Sequence, residues 1–382
     1  MIRLIQSVIA PTGLALVLGA VSACSQAPEA APPADDLDPA SYQVELIADG
    51  LLTPWDMAFL PDGSALISER NGGVKHLRDG VLSDVPGGPD DVFAEGQAGL
   101  FDLALSPDFE TSGVVYLSYA SGTADANTPA LYRARLEADR LVDGETIFRA
   151  DPLRSTSAHY GARLAFLPDG TLLMTAGEGF AYREEAQVRS NHLGAVLRLN
   201  TDGSAPTDNP FADEGGAAAY VYSYGHRNMQ GIALDAATGT IWTHEHGPQG
   251  GDELNALNAG ANAGWPIATM GLDYNGARIS PFFDHEGFDA PEWVWTPSIA
   301  PSGMALYDGD LFADWRGDLL VSALAGQALH RLDLEDGVVV GEERLLAERG
   351  QRIRQVLNGP DGAIWLLAES PDGQVLRLTP AE

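Results

Sequence analysis

The chain has 382 residues, with 22 Lys and Arg against 54 Asp and Glu, for a formal net charge of −32. Nucleic acid is excluded as a partner, because a nucleic-acid groove needs a basic surface; free acidic substrates are repelled at long range, whereas neutral sugars are not. The single cysteine, at position 24, excludes an internal disulfide and a cysteine nucleophile in the folded part.

Residues 1–24 read as an export signal. Met1-Ile2-Arg3 gives a basic start, residues 8–21 are apolar and mostly small, and Val21-Ser22-Ala23-Cys24 closes the stretch. The apolar run is too short for a transmembrane helix. Cys24, after one aliphatic and two small residues, resembles a bacterial lipobox, which implies an exported, periplasmic protein that meets a membrane only through a lipid on that cysteine. Residues 25–40 are mostly Ala, Pro and acid and read as a tether. The folded domain is expected over 41–382.

Six copies of one unit follow. An apolar alternating strand begins near Met57, Leu103, Leu164, Ile232, Met304 and Val356. It ends in Pro61-Asp62-Gly63, Pro168-Asp169-Gly170, Pro360-Asp361-Gly362 or a relative, and a second β-rich run comes next. Proline fixes φ and glycine accepts positive φ, so the tripeptide suits a tight turn. The copies recur at roughly 45 to 70 residues, the size of a propeller blade with insertions. The fold class expected is all-β, a six-bladed β-propeller, which explains six long-period copies better than a pair of sandwiches or a β-helix.

Four loop segments carry candidate chemistry. His159, just before the third copy, can take a proton from a hydroxyl. Arg227, Asn228 and Gln230, before the fourth, suit a planar anionic ligand bearing carbonyls. The segment from Glu245 to Asn255, with Gly247, Pro248 and Glu253, offers hard oxygen donors of the kind calcium takes. Arg352 and Arg354 alternate along a strand and so share a face, which suits either an anionic ligand or ion pairs with the chain's own acids. No G-x-S-x-G elbow or Walker-type loop is present.

Taken together, residues from about 52 to 378 resemble the soluble PQQ-dependent aldose sugar dehydrogenases, the glucose/sorbosone dehydrogenase family. The resemblance implies a six-bladed propeller that oxidises the anomeric hydroxyl of aldoses to lactones, with PQQ and Ca²⁺ as cofactors and an external electron acceptor. Residue by residue, His159 resembles the general base, Gln97 an active-site amide and Arg227 the cation beside the reacting quinone carbonyl. Asn228, Gln230, Ser298, Arg352 and Arg354 resemble cofactor partners. Gly247 and Pro248 resemble carbonyl donors to one calcium, and Glu253 with the backbone of Ala263 a second calcium site. Three positions depart from the family pattern. Ala325 stands where a cofactor-binding lysine is common, Ala158 where some members have an acid, and Ala162 for a common glycine. Two other functions stay open: a calcium-dependent propeller hydrolase of the sugar-lactonase kind, and a non-catalytic cell-surface binding propeller. The assembly expected is a monomer or a homodimer.

Overall fold

The computed structural model describes Pro32 and residues 34–381. The expected export signal, Cys24 and half of the tether, residues 25–31 and 33, lie outside the described residues. The last part of the tether is built onto the domain: Asp35–Asp36 pair in parallel with the strand Val338–Leu345, and Asp36 bonds the Arg344 guanidinium at 2.7 Å.

Six antiparallel sheets of four strands each form the blades of a β-propeller, one sheet extended by Asp35–Asp36. The inner strands are Pro54–Phe59, Leu100–Leu105, Gly161–Phe166, Met229–Leu234, Pro301–Leu306 and Ile353–Asn358, one per blade in chain order. Each inner strand packs on the inner strands of its two neighbours, which closes the ring. Every expected repeat copy falls on the first two strands of a blade. The second strands, such as Leu172–Ala176 and Leu319–Ala323, are buried along their whole length because both faces meet a neighbouring blade. They therefore read as continuous apolar runs rather than alternating ones. The Pro-Asp-Gly turns form as expected, with Gly63, Gly170 and Gly362 at φ of 83°, 84° and 78°.

The core is divided into layers between blades. Leu66 packs with Leu100 and Leu117 between blades 1 and 2. Leu131 packs with Leu172 and Leu197 between blades 2 and 3. Trp242 packs with Leu319 and Val321 between blades 4 and 5.

Blade 6 is closed by the chain's beginning. Tyr42–Leu51 forms its outermost strand, antiparallel to Gly373–Pro380, with Tyr42 opposite Pro380 and Leu51 opposite Gly373. This strand ties the two ends of the domain together. A chain starting at residue 52 leaves Gly373–Pro380 as a bare edge and uncovers Leu367 and Val375. We expect its calorimetric Tm to fall by about 10 °C or more, with aggregation on heating; an unchanged Tm would show the closure to be dispensable.

Every inner strand carries a register shift near its start, as between Pro54 and Asp56 or Gly161 and Leu164. A bulge there re-aims one side chain. In three blades the residue beside the shift supplies a charge to the propeller axis: Asp56, Asp102 and Arg163, 3%, 5% and 3% exposed. Arg163 Nη1 lies 3.4 Å from Asp56 and 3.3 Å from Asp102, while Nε donates to the Gln230 carbonyl and Nη2 to that of Ser302, both at 2.6 Å. Gln355 donates to Asp56 from blade 6.

Candidate active site

The loops leading into the inner strands gather at one end of the channel around a cavity of about 300 Å³. Its aromatic lining is Trp55, Phe101 and Tyr160, members of a buried cluster separate from the layers between blades. Its polar wall holds Gln97, Asn228, Gln230, His246, Arg352 and Arg354, with Arg70 and Glu369. Five expected site residues from three regions of the sequence are thus brought together: Gln97, Asn228, Gln230, Arg352 and Arg354.

His159 adjoins this cavity, next to Tyr160, and is 4% exposed. Its backbone N–H donates to Gln97 Oε1 at 2.8 Å, so Gln97 both lines the cavity and fixes the loop. Its Nδ1 lies 2.9 Å from Glu178 Oε1. A carboxylate only accepts, so Nδ1 carries the proton and Nε2 keeps the lone pair. Burial holds the imidazole below the ordinary histidine range; the Glu178 bond opposes this, and the Arg227 and Arg154 charges add to the lowering. The arrangement is a neutral base, oriented by a carboxylate, buried directly behind the cavity residues Tyr160 and Gly161.

Glu178 is the main residue that sequence reasoning missed. The acid stands not at the adjacent position, occupied by Ala158, but two residues past the second strand of the same blade, Leu172–Ala176. A signal was present. His226 Nδ1 bonds Glu245 Oε1 at 2.9 Å one blade later, and both pairs are 19 residues apart in sequence. Glu369, at the end of the second strand of blade 6, was also missed. It binds Arg354 at 2.6 Å and Arg352 at 3.6 Å, so the two arginines do share a side, and an acid of the chain sits between them.

Arg227 does not line the main cavity. It lies on a smaller side pocket with Glu178, Phe180, Pro248 and Tyr274. Its Nη1 donates to the carbonyls of His246 and Gly247, both at 2.8 Å, and its buried Nε has no partner. Ser298 Oγ accepts from Gly250 N at 3.1 Å and donates to the Pro248 carbonyl at 3.4 Å. His246 Nε2 donates to the Pro301 carbonyl at 2.7 Å, and burial pushes its pKa down to about 3, so it lines the cavity as a neutral ring.

Glu253 stands directly opposite Glu245 across two antiparallel strands. Burial and that facing carboxylate push its carboxyl well above the usual range. Ala263 lines a separate small pocket with Ser223, His226 and Asn255. Among the described residues no three His, Cys, Asp or Glu side chains group as metal ligands.

The family departures have structural counterparts. Ala162 sits at φ 73°, a left-handed conformation that glycine adopts without strain and a Cβ resists. Ala325 is exposed and held by backbone bonding to the Ile299 carbonyl at 3.0 Å, beside Leu324 on the cavity wall.

Comparison with known proteins gives a consistent answer. A family model described as Glucose / Sorbosone dehydrogenase matches residues 51–377. The aldose sugar dehydrogenase YliI of Escherichia coli K12 is 40% identical over 350 residues, covering 90% of this chain and 94% of that protein. The crystal structure of the soluble aldose sugar dehydrogenase of Escherichia coli, in its apo form, superimposes with a TM-score of 0.86 at 39% identity, over 89% of this chain and 100% of that one. The PQQ-bound aldose sugar dehydrogenase of Streptomyces coelicolor gives a TM-score of 0.74 at 29% identity, over 90% and 100% of the two chains.

Proposed function

This chain belongs to the glucose/sorbosone dehydrogenase family, and we propose from that premise that it oxidises the anomeric hydroxyl of aldose sugars to lactones with PQQ as its cofactor. The observation that carries the reading is the His159–Glu178 pair beside a cavity walled by guanidinium groups and amides.

The residues fit a planar, multiply anionic quinone. Arg70, Arg352 and Arg354 bring three cations to the wall against the single carboxylate of Glu369, Asn228 and Gln230 add amides, and Trp55 offers an apolar face. Arginine and amide donors match carboxylate and carbonyl oxygens. When bound, PQQ accepts the two electrons of the oxidation as a hydride. The chain's own part is to bind, orient and move one proton. His159 Nε2, free of hydrogen-bond partners, takes the anomeric hydroxyl proton. Glu178 holds the imidazole in the required tautomer and balances the charge that develops on it. Arg227 stands on the side pocket with Glu178 rather than on the cavity wall, so its role beside the reacting oxygen rests on the family resemblance alone.

Calcium is proposed at the carbonyls of Gly247 and Pro248 and at Glu253 with the Ala263 backbone. Its support is donor chemistry: hard oxygens in the first place, and two facing carboxylates, Glu245 and Glu253, at the second. Export and lipid attachment at Cys24 are proposed on the sequence alone, and the mass of the mature N-terminus from a bacterial host checks them.

The test is PQQ binding by calorimetry, with and without calcium, followed by glucose and an artificial acceptor dye. We expect saturable binding and dye reduction. Absence of both across a panel of aldoses would favour a binding propeller, and lactone hydrolysis without PQQ would favour a hydrolase. Ala325→Lys places a further cation beside Leu324. If the arginines do not replace the family lysine, the substitution tightens PQQ binding by about tenfold.

A further inference from the structure

We infer that Arg154 is a positioning residue of this site: it fixes His159 in place through backbone carbonyls, and its charge keeps the imidazole free to accept a proton. The inference rests on the proposed role of His159 as base.

Arg154 sits five residues before His159 and is 2% exposed. Its backbone bonds Asn127 in both directions at 2.9 Å, which anchors it. Its Nη1 donates to two carbonyl oxygens, that of His159 at 3.1 Å and that of Gly177 at 2.8 Å. Gly177 directly precedes Glu178, so one nitrogen bridges the backbone of the base and the backbone beside its carboxylate. The bridge matters because His159 has φ 52°, a left-handed conformation that is unfavourable outside glycine. The close approach is built in. A Cβ on Gly177 would lie 2.4 Å from the His159 carbonyl oxygen, and one on Gly179 3.1 Å from Arg154 Nη1.

A clamp alone does not need a guanidinium. Nε and Nη2 of Arg154 are buried without partners, and its face lies 4.4 Å over the Tyr160 ring. Among the described residues no carboxylate hydrogen-bonds it, and Glu178 Oε2, buried nearby, is itself unpartnered. Donors left unsatisfied in an apolar setting cost free energy. Here they leave a cation against the His159 backbone carbonyl, with no ion pair among the described residues. Burial lowers its pKa to about 10, still well above neutrality, so it remains charged.

The charged and titratable groups facing His159 are Glu178, Arg227, Arg154 and the neutral His246. Glu178 favours the imidazolium, and the two arginines oppose it. Removing the Arg154 charge therefore raises the His159 pKa, and the base is lost to protonation at a higher pH.

The test is an NMR titration of histidine-labelled protein without cofactor, with the His159 signal identified by its loss in His159→Gln. Native His159 is expected to titrate below the ordinary value of about 6.5. Arg154→Gln keeps an amide donor for the carbonyls but removes the charge; Arg154→Met removes both. Both are expected to raise the His159 midpoint, and Arg154→Lys to leave it near the native value. In PQQ-loaded protein the acid limb of kcat/KM should move with it. Folded Gln and Met variants whose His159 titrates as in the native chain would overturn the inference. So would a native His159 that titrates at or above 6.5, a result readable even if no variant folds. The titration does not depend on sugar oxidation, so it separates failure of this role from failure of the proposed function.

Discussion

His159→Gln is expected to lower kcat by about 10³-fold while KM for the sugar changes by no more than about threefold. Glutamine nearly preserves volume, and its amide can still face Glu178, so the loss reports the missing lone pair on Nε2 rather than a collapsed loop. The pH profile gives the sharper check. In the native chain only the neutral imidazole accepts a proton, and burial together with Arg227 and Arg154 depresses its pKa. The rate is therefore full above that depressed pKa and falls as pH drops through it, with the acid limb below the usual histidine range. The variant loses this limb along with its rate. Glu178→Gln should also be impaired, but no more than His159→Gln, since paired residues act as a unit. The measurement is steady-state dye reduction from about pH 4 to 8, with thermal melts to confirm folding. A profile in His159→Gln that keeps the acid limb would assign the proton to another group.

Much of this arrangement was legible in the sequence, for an identifiable reason. The first two strands of each blade are buried on both faces and joined by tight turns, so their apolar runs and Pro-Asp-Gly tripeptides survive as a repeat. The outer strands lose that signature because their exposed faces carry charge pairs such as Arg133–Glu145 and Arg331–Glu343. The closing strand was invisible because its pairing joins Leu51 to Gly373, and no local pattern encodes a contact of that span. The same limit applies in the site. Asn228, Gln230, Arg352 and Arg354 could be singled out because each lies at the entry to an inner strand, just before it or at its second residue, and Gln97 through the family resemblance. Glu178 lies at the far end of a hairpin, and only the 19-residue spacing it shares with His226 and Glu245 betrays it. Arg154 carries no sequence signal either, because its bonds to two backbone carbonyls are made only in the folded chain.

The axial ions are the least local feature, and they carry the second large expectation. Arg163→Met should destabilise the protein by about 3–5 kcal/mol, the usual cost of removing one partner from a buried ionic group. Arg163, on blade 3, holds Asp56 of blade 1, Asp102 of blade 2, the Gln230 carbonyl of blade 4 and the Ser302 carbonyl of blade 5, and Gln355 of blade 6 reaches the same cluster through Asp56. Its guanidinium also lies 4.0 Å over the Trp55 ring on the cavity wall. Without the cation, two buried carboxylates face each other. Burial and Asp102 already push the Asp56 carboxyl well above its usual range, and Arg163 opposes them together with the Leu103 N–H. A carboxyl whose folded pKa is raised contributes stability below its unfolded pKa and loses it as pH rises through the folded one. The deficit of the variant should thus be largest at neutral pH and shrink toward about pH 4. Adding Asp56→Asn removes one of the stranded charges and should recover part of the loss, a coupling that a double-mutant cycle measures. Because Gln230 and Trp55 both line the cavity, the single variant should also bind PQQ more weakly. Equal destabilisation at pH 4 and pH 7 would mean that Arg163 acts through packing alone and that the axial charges do not set the stability of the ring.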